Sequence, residues 1–396
     1  PDKKIIVLAP TGVSAINVKG ETIHSFFKLK PGYELDEATN ARIDEKKRAG
    51  YKAIKTIMID EISMVRADLL DAIDIFLRRV RENDEAFGGV QMIFFGDLFQ
   101  LPPVLTNHDK DRFYSEYESP YFFSAKLFER RDLFSEAFKL EYIELDKIYR
   151  QSDENFIRLL NCIRDNSATE VDLEHVNARV EPDYRPSPDI SCVHLMTTNA
   201  NANAHNLLKL GEIHRPPIEF KASKKGNLGK LQPNDTTITV KIGAQVMFIQ
   251  NDTKRRWVNG TIGTVEHHTK RYDDEVEDLV DILEIQLEDG EIVEVKPHTW
   301  DISKYNVKGG FFVREEIGSF TQMPIKLAWA MTIHKSQGKT FDHVVLDTGW
   351  GSFAHGQTYV ALSRCTSFEG LVLKKPLKPS DIIVDDYVRK FANGEL

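Results

Sequence analysis

Apolar residues in this chain fall into two kinds of pattern, and the change from one to the other divides it. Short, largely apolar runs of three to six residues recur at 4–8, 57–59, 90–95, 192–196 and 343–347, each followed at once by small or polar residues. Runs this short without helical spacing predict buried strands of a parallel sheet. Between two of them, Leu69, Leu70, Ile73, Phe76, Leu77 and Val80 recur at helical spacing among acids and arginines, which predicts an amphipathic helix. A second helix is expected over residues 155–163 and a third from Asn199 to Leu208. Between residues 238 and 295 the pattern alternates instead, as in Ile238, Val240 and Ile242, and is broken by Asn259-Gly260 and Asp289-Gly290 turns, so this part is expected to be all β.

The fold class that follows is α/β. A first parallel-sheet domain covers residues 1–143, with a small polar surface insertion at 28–52. A second occupies 144–235 and 311–396, and an all-β insertion at 236–310 interrupts it. With 396 residues, 41% hydrophobic and 29% charged, the chain can build several full cores. No apolar run approaches the roughly 20 residues of a membrane span, and nothing at the start reads as a secretory leader. Cys162, Cys192 and Cys365 are scattered without metal-ligand spacing, which fits a reducing, intracellular compartment, cytoplasmic or nucleoid-associated in a bacterium. The net charge of −9 argues against indiscriminate nucleic-acid binding, so any such site must be a local groove.

Candidate chemistry gathers at the strand ends. Asp60 and Glu61 follow the second strand, on the edge of a parallel sheet where ligands bind. A hard carboxylate oxygen suits magnesium and a second carboxylate suits activation of water, although two solvated acids would look the same. Gln100 follows the next strand and can sense a terminal phosphate. Thr11 and Gly12 lie in a strand–loop–helix turn able to hold a phosphate. His24 stands beside two phenylalanines, either as a ligand contact or as a core residue. Arg150 is either functional or an ordinary surface arginine. Lys254-Arg255-Arg256-Trp257 joins cations to an aromatic ring, as single-strand binders do, or is a solvated loop. Gly338-Lys339-Thr340 looks like the end of a phosphate-binding loop, but Ile333 stands where that motif needs glycine, and the reading is rejected. A dinucleotide fingerprint at 349–354 fails too, because Glu369 precedes the next strand instead of ending it.

Taken together, A-P-T-G (9–12), T-I-H-S-F (22–26), I-D-E-I-S-M (59–64), G-D-L-F-Q-L-P-P-V (96–104), Y-R-Q (149–151), T-I-H-K-S-Q-G-K-T (332–340) and Y-V-A-L-S-R (359–364) resemble the motif series of superfamily 1 DNA helicases, and most closely the petite-integration-frequency family. The resemblance implies two RecA-like domains with ATP between them and a Src-homology-type barrel inserted in the second. It implies 5′-to-3′ movement on single-stranded DNA, forked or 5′-tailed duplexes as substrates, roles in replication, repair or recombination, and action as a monomer. Carried over by motif, Asp60 holds Mg2+, Glu61 is the catalytic base, Gln100 senses the γ-phosphate, and Arg150 and Arg364 stabilise the transition state, with Gly338 beside the nucleotide. Thr11, Gly12, His24, Thr198, Asn199, His334, Lys335 and Ser336 fall in motifs that contact DNA. The family's phosphate-binding loop is missing before residue 4, so the chain is expected to be an amino-truncated helicase, inactive by itself. Leucines in the helix at 68–81 point to a bacterial-type member. A RecD-like helicase subunit and a catalytically silent DNA-binding fragment are the competing readings.

Overall fold

The computed structural model describes the chain apart from residues 1–3, 31, 33, 41–44, 107–108, 129–139, 146, 188–189, 227, 229–231, 275–276, 350 and 396. The first domain contains β1 (Ile5–Ala9), α1 (Gly12–Asn17), β2 (Glu21–Thr22), α2 (Ile23–Phe27), α3 (Glu34–Asn40), α4 (Glu45–Ala53), β3 (Thr56–Ile59), α5 (Ala67–Arg81), β4 (Gln91–Phe94) and α6 (Lys110–Tyr114). Its sheet is parallel in the order β2-β1-β3-β4. Non-sequential order forces crossovers, and these carry the helices that cover the sheet. The expected amphipathic helix is α5, but two acids of its polar complement face inward. Asp71 accepts hydrogen bonds from Tyr117 Oη (2.8 Å) and the Lys126 amide (2.9 Å), while Asp74 accepts from the Phe87 amide (2.6 Å) and pairs with Arg78 (2.8 Å). Bonded in this way, buried acids fasten loops to the helix, and the hydrogen bonds offset part of the burial that pushes the Asp71 carboxyl above its ordinary range.

The segment at 28–52 is not merely a surface insertion. It forms α3 and α4, and Tyr51 is buried among the rings of Phe26, Phe76 and Phe312, 4.7–5.6 Å away. Its charged residues mask this, because one face of each short helix is solvated.

The second domain begins with α7 (Glu154–Arg164), α8 (Glu170–Asn177), β5 (Val193–Met196) and α9 (Asn199–Glu212). The β-rich part follows as β6 (Ile218–Lys221), β7 (Ser223–Gly226), β8 (Thr237–Val240), β9 (Gln245–Phe248), β10 (Ile262–Asp273), β11 (Asp278–Leu287), β12 (Ile292–Val295), β13 (His298–Lys308), β14 (Phe311–Gln322) and β15 (Ile325–Leu327). The chain then returns through β16 (Ala330–Thr332), β17 (Val344–Asp347), α10 (Gln357–Leu362), β18 (Leu371–Leu373) and α11 (Asp386–Ala392), giving a second parallel sheet in the order β16-β5-β17-β18.

Strand pairing makes the inserted β unit longer than 236–310. β15 pairs with β9 at the edge of the sheet β12-β11-β10-β9-β15, β6 pairs with β8, and β13-β14-β7 form a separate sheet, so the unit runs from Ile218 to Leu327. β7 is exposed throughout and rich in lysine, which leaves no alternation to read. The β13–β14 hairpin reaches back to the first domain, where Phe312 joins the core and the Tyr305 amide donates to Glu21 Oε2 at 2.8 Å. The last helix crosses back as well. Val388 of α11 is buried in the first domain's core, and Phe391 stacks on Phe123 at 4.3 Å, so residues 311–396 do not all belong to the second domain.

Candidate nucleotide cleft and nucleic-acid track

Asp60 continues β3 and donates its amide to the Leu8 carbonyl of β1 (3.0 Å); Glu61 then turns sharply into the left-handed region, with φ 53° and ψ 48°. A β-branched or bulky residue resists this conformation, and a non-glycine held there marks a place where position matters more than local comfort. The turn leaves both carboxylates half-buried at the carboxyl edge of the first sheet. Burial, and then the neighbouring charges of Asp60 and Asp97, push the Glu61 carboxyl above its ordinary range, while Arg364 pulls it back. The Asp60 carboxylate makes no hydrogen bond or ion pair among the described residues, which leaves its oxygens available to a cation.

Two arginines from the second domain share this electrostatic environment. Arg364, just past the end of α10, is 1% exposed, and burial followed by the like charge of Arg150 brings its guanidinium down to about 10. Its Nε donates to Val360 O (2.9 Å), its Nη2 to Ser363 Oγ (2.8 Å) and its Nη1 to Lys339 O (3.3 Å). A guanidinium has five N–H groups, so one hydrogen on each terminal nitrogen is left for an incoming oxygen. Arg150 donates from Nε to Thr340 Oγ1 at 3.1 Å, and burial lowers its pKa also. Gln151, the next residue, donates to Ser363 O (3.0 Å) and Cys365 O (2.9 Å) and so braces the turn that carries Arg364.

Gln100 lies on the loop after β4. Its amide donates to Asp97 Oδ2 (3.1 Å), and Gln337 Nε2 comes within 3.5 Å of its carbonyl oxygen. Leu101, fully buried, sits in the second domain's core. From the other side, His355 donates from Nε2 to Leu98 O (2.8 Å) and accepts at Nδ1 from the Asp385 amide (2.9 Å), a pairing that fixes the neutral tautomer. The structure thus brings Asp60, Glu61, Gln100, Arg150 and Arg364 around one interdomain cleft, with Gly338 two residues from the Thr340 that holds Arg150.

The second set of candidates lies at the carboxyl edges of both sheets. Thr11 caps α1, accepting from the Ser14 amide at 3.1 Å, and Gly12 is the first helical residue. Thr198 caps α9 in the same way (3.3 Å from the Asn201 amide), with Asn199 exposed beside it. β16 runs parallel to β5, and the Ile333 amide donates to Met196 O (2.9 Å), which places His334 and Lys335 next to Thr198 and Asn199. Lys335 is exposed. His24 is bonded to Glu34 (3.3 Å). One expectation changes here. His334–Ser336 form a single 3-10 turn, ended by Gln337 at φ −53° and ψ 139° and by Gly338 at φ +73°. Ser336 is fully buried and its hydroxyl donates to Ile333 O (2.7 Å), so it shapes the turn and offers nothing outward.

The cation–aromatic loop also resolves. Arg256 pairs with Asp252 (2.8 Å), and Trp257, 8% exposed, stacks on Phe248 at 4.5 Å inside the barrel core. Its ring faces inward, so no base can stack on it. Sequence reasoning passed over several residues that complete the cleft. Asp97 lies 3.6 Å from Arg164, whose guanidinium stands 4.2 Å over the Phe99 ring, and Tyr359 is half-buried near Asp97 and the arginines, its hydroxyl pushed up to about 12 by desolvation and then by Asp97. Asp97 and Tyr359 lie inside motifs already singled out, one beside Gln100 and one before Arg364. Arg164 looks like an ordinary last-turn helix arginine and gives no such signal.

These features define a two-lobed nucleotide-dependent motor. A family model described as PIF1-like helicase matches residues 1–174. The chain is 32% identical to the ATP-dependent DNA helicase Pif1 of Bdellovibrio bacteriovorus over 98% of its own length and 82% of that protein's. With the human ATP-dependent DNA helicase PIF1 it shares 31% identity, over 94% of this chain and 54% of that one, so it spans about half the length of the human relative. Pif1 from Bacteroides sp in complex with ADP-AlF4 superposes with TM-score 0.86 at 35% identity, covering 99% of this chain and 87% of that one. The same Bacteroides helicase with ADP-AlF3 and ssDNA gives 0.64 at the same identity, over 100% and 88%. The chain belongs to the PIF1-like helicase family.

Proposed function

We propose that this chain is the motor of an ATP-dependent DNA helicase that moves 5′-to-3′ along single-stranded DNA and opens forked or 5′-tailed duplexes, as a monomer, in replication, repair or recombination inside the cell. One observation carries the reading: two carboxylates at the edge of the first sheet share one electrostatic environment with two arginines of the second domain. In hydrolysis of ATP, Glu61 takes the proton of the attacking water, and its raised pKa brings it closer to the working pH than an ordinary carboxylate would be. Gln100, oriented by Asp97, contacts the terminal phosphate and that water. Arg364 and Arg150 meet charge that develops on the phosphoryl oxygens, and they can do so only while the cleft is closed.

Mg2+ fits this donor set. Asp60 offers a hard oxygen with no protein partner among the described residues, and the absence there of a cage of three or more ligands suits a cation held mostly by phosphates. When bound, it neutralises charge on the phosphate chain.

Thr11, Gly12, Thr198, Asn199, His334 and Lys335 offer two grips at the carboxyl edges of two sheets, with His24 near the first and Ser336 supporting the second. Opening and closing of the cleft changes the separation of the grips, which turns hydrolysis into steps along one strand. The test is strand displacement by the full-length protein. A duplex with a 5′ tail should be unwound and a 3′-tailed one left intact, and Glu61→Gln should retain nucleotide binding while losing turnover. Unwinding of the 3′-tailed duplex alone would overturn the polarity, and an active Glu61→Gln variant would remove Glu61 from catalysis.

A further inference from the structure

Lys339 is the residue that made Gly338-Lys339-Thr340 look like a phosphate-binding loop, and it points elsewhere. Its ammonium donates to Asn259 Oδ1 at 2.7 Å, in the loop between β9 and β10 of the barrel. Gly260, with φ +108°, allows that loop to lie against the lysine stem: a Cβ there would sit 3.8 Å from Lys339 Cβ and Cγ. The loop is itself anchored, since the Asn259 amide donates to Asn251 Oδ1 (2.7 Å) and the Gly260 amide to Phe248 O (2.9 Å). Around this contact the seam between barrel and second domain is open, with a cavity of about 330 Å³ lined by Thr261, Glu288, Gly338, Thr340 and Asp342 among others. The Lys339–Asn259 bond ties barrel and second domain together beside this cavity.

The lysine's own carbonyl and the side chain of the next residue carry the arginines. Lys339 O accepts from Arg364 Nη1 (3.3 Å), and Thr340 Oγ1 accepts from Arg150 Nε (3.1 Å). A single dipeptide is thus the shared rest of both guanidinium groups, and its side chain is tied to the barrel. We infer that Lys339 is a positioning residue: held by Asn259, it fixes the Lys339–Thr340 peptide on which Arg364 and Arg150 rest, so the seating of the inserted barrel sets the arginines for hydrolysis. This rests on the ATP-hydrolysing role proposed above for the arginines. Burial, then the like charge of Lys326, brings the Lys339 ammonium down to about 8, as expected of a cation removed from water to serve one contact.

The experiment compares Asn259→Ala, Lys339→Met, the double variant and Asn259→Asp in the full-length protein, which keeps the loop's backbone bonds in every case. With saturating single-stranded DNA, each of the first two should lower kcat for ATP roughly tenfold, with KM and DNA affinity within about twofold of wild type, because a misplacement near 1 Å acts on the transition state. The double variant should be no slower than the worse single, since both remove one tie. Asn259→Asp, which keeps an acceptor for the ammonium, should recover most of the rate. Without nucleotide, amide exchange at residues 338–341 should rise about tenfold in Asn259→Ala. Unchanged kcat, multiplying single effects, a loss confined to DNA affinity, or unchanged exchange would each overturn the inference. A wild type that fails to hydrolyse ATP would refute the helicase reading instead, and the exchange result would still decide whether the tie holds the peptide.

Discussion

Gly356 offers the sharpest test of how the cleft is built. It caps the start of α10 in the left-handed region (φ +68°), and a Cβ placed on it would lie 2.3 Å from Phe99 O and 2.6 Å from Gln100 O. Carbon and carbonyl oxygen need roughly 3.3 Å, so the methyl of Gly356→Ala must drive the Gln100 backbone away by about 1 Å or break the turn. The left-handed conformation adds about 1–2 kcal/mol, and the overlap costs a further 1–3 kcal/mol of the kind seen on overpacking. Stability by urea titration should therefore fall by about 2–5 kcal/mol. If Gln100 shifts by that distance, kcat should fall on the order of 10²-fold while ATP still binds. Gly394 isolates the steric part, because it has a similar φ of +72° with nothing within 4 Å of a Cβ. Gly394→Ala should lose only about 1 kcal/mol and no turnover. A Gly356→Ala enzyme within twofold of wild-type kcat, or no less stable than Gly394→Ala, would refute the argument that this turn is seated against Gln100.

Three further outcomes follow from the charges. Glu61 has a raised pKa, so its basic form is lost as pH falls through a value above 4.5; the acid limb of kcat should lie above that pH, and a limb at or below 4.5 would exclude Glu61 as the base. Arg364→Ala should lower kcat by about 10³-fold with a much smaller change in ATP affinity, whereas a defect only in DNA binding would put the guanidinium in the wrong groove. Lys335→Ala should weaken single-stranded DNA binding alike for all sequences and flatten the log–log salt dependence by about 0.7; an unchanged slope would make Lys335 an ordinary surface cation.

What could be read from the sequence was local. β1, β3, β4, β5 and β17 announced themselves as short apolar runs, whereas the parallel strands β2 at Glu21–Thr22 and β16 at Ala330–Thr332 did not. Polar candidates sat directly after the runs because strand ends face ligands, and the placing of Asp60, Glu61 and Gln100 at the sheet edge needed nothing more than that. The parts that escaped are those whose partners lie far along the chain. Glu21 looks like a surface acid, yet it is 5% exposed and accepts from an amide 284 residues away. Trp257 looks like a stacking platform until the barrel closes around it. Ser336 has the composition of an exposed phosphate contact, and only the backbone turn at 333–338 reveals that its hydroxyl faces inward. Periodicity reports which face of an element is buried, and is silent about which other element buries it.

That silence matters most for α10, because the helix joins the two halves of the chemistry. Its first turn is pressed against the Gln100 backbone by Gly356 and pinned by His355 to Leu98 and Asp385, and just past its last turn stands Arg364. A helix of this length is about 9 Å long and does not compress, so a displacement of the Gln100 loop at one end must appear as a displacement of the arginine at the other. Asp385 extends the linkage, since it accepts from Tyr121 Oη (3.2 Å) and caps α11, whose apolar face is buried in the first domain. In the mechanism proposed above, Gln100 reads the terminal phosphate and Arg364 stabilises its transfer; α10 abuts the backbone of the first, leads directly into the second, and is strapped to both domains. Under that mechanism, loss of the γ-phosphate at the Gln100 end is felt as movement of the second domain without any separate relay.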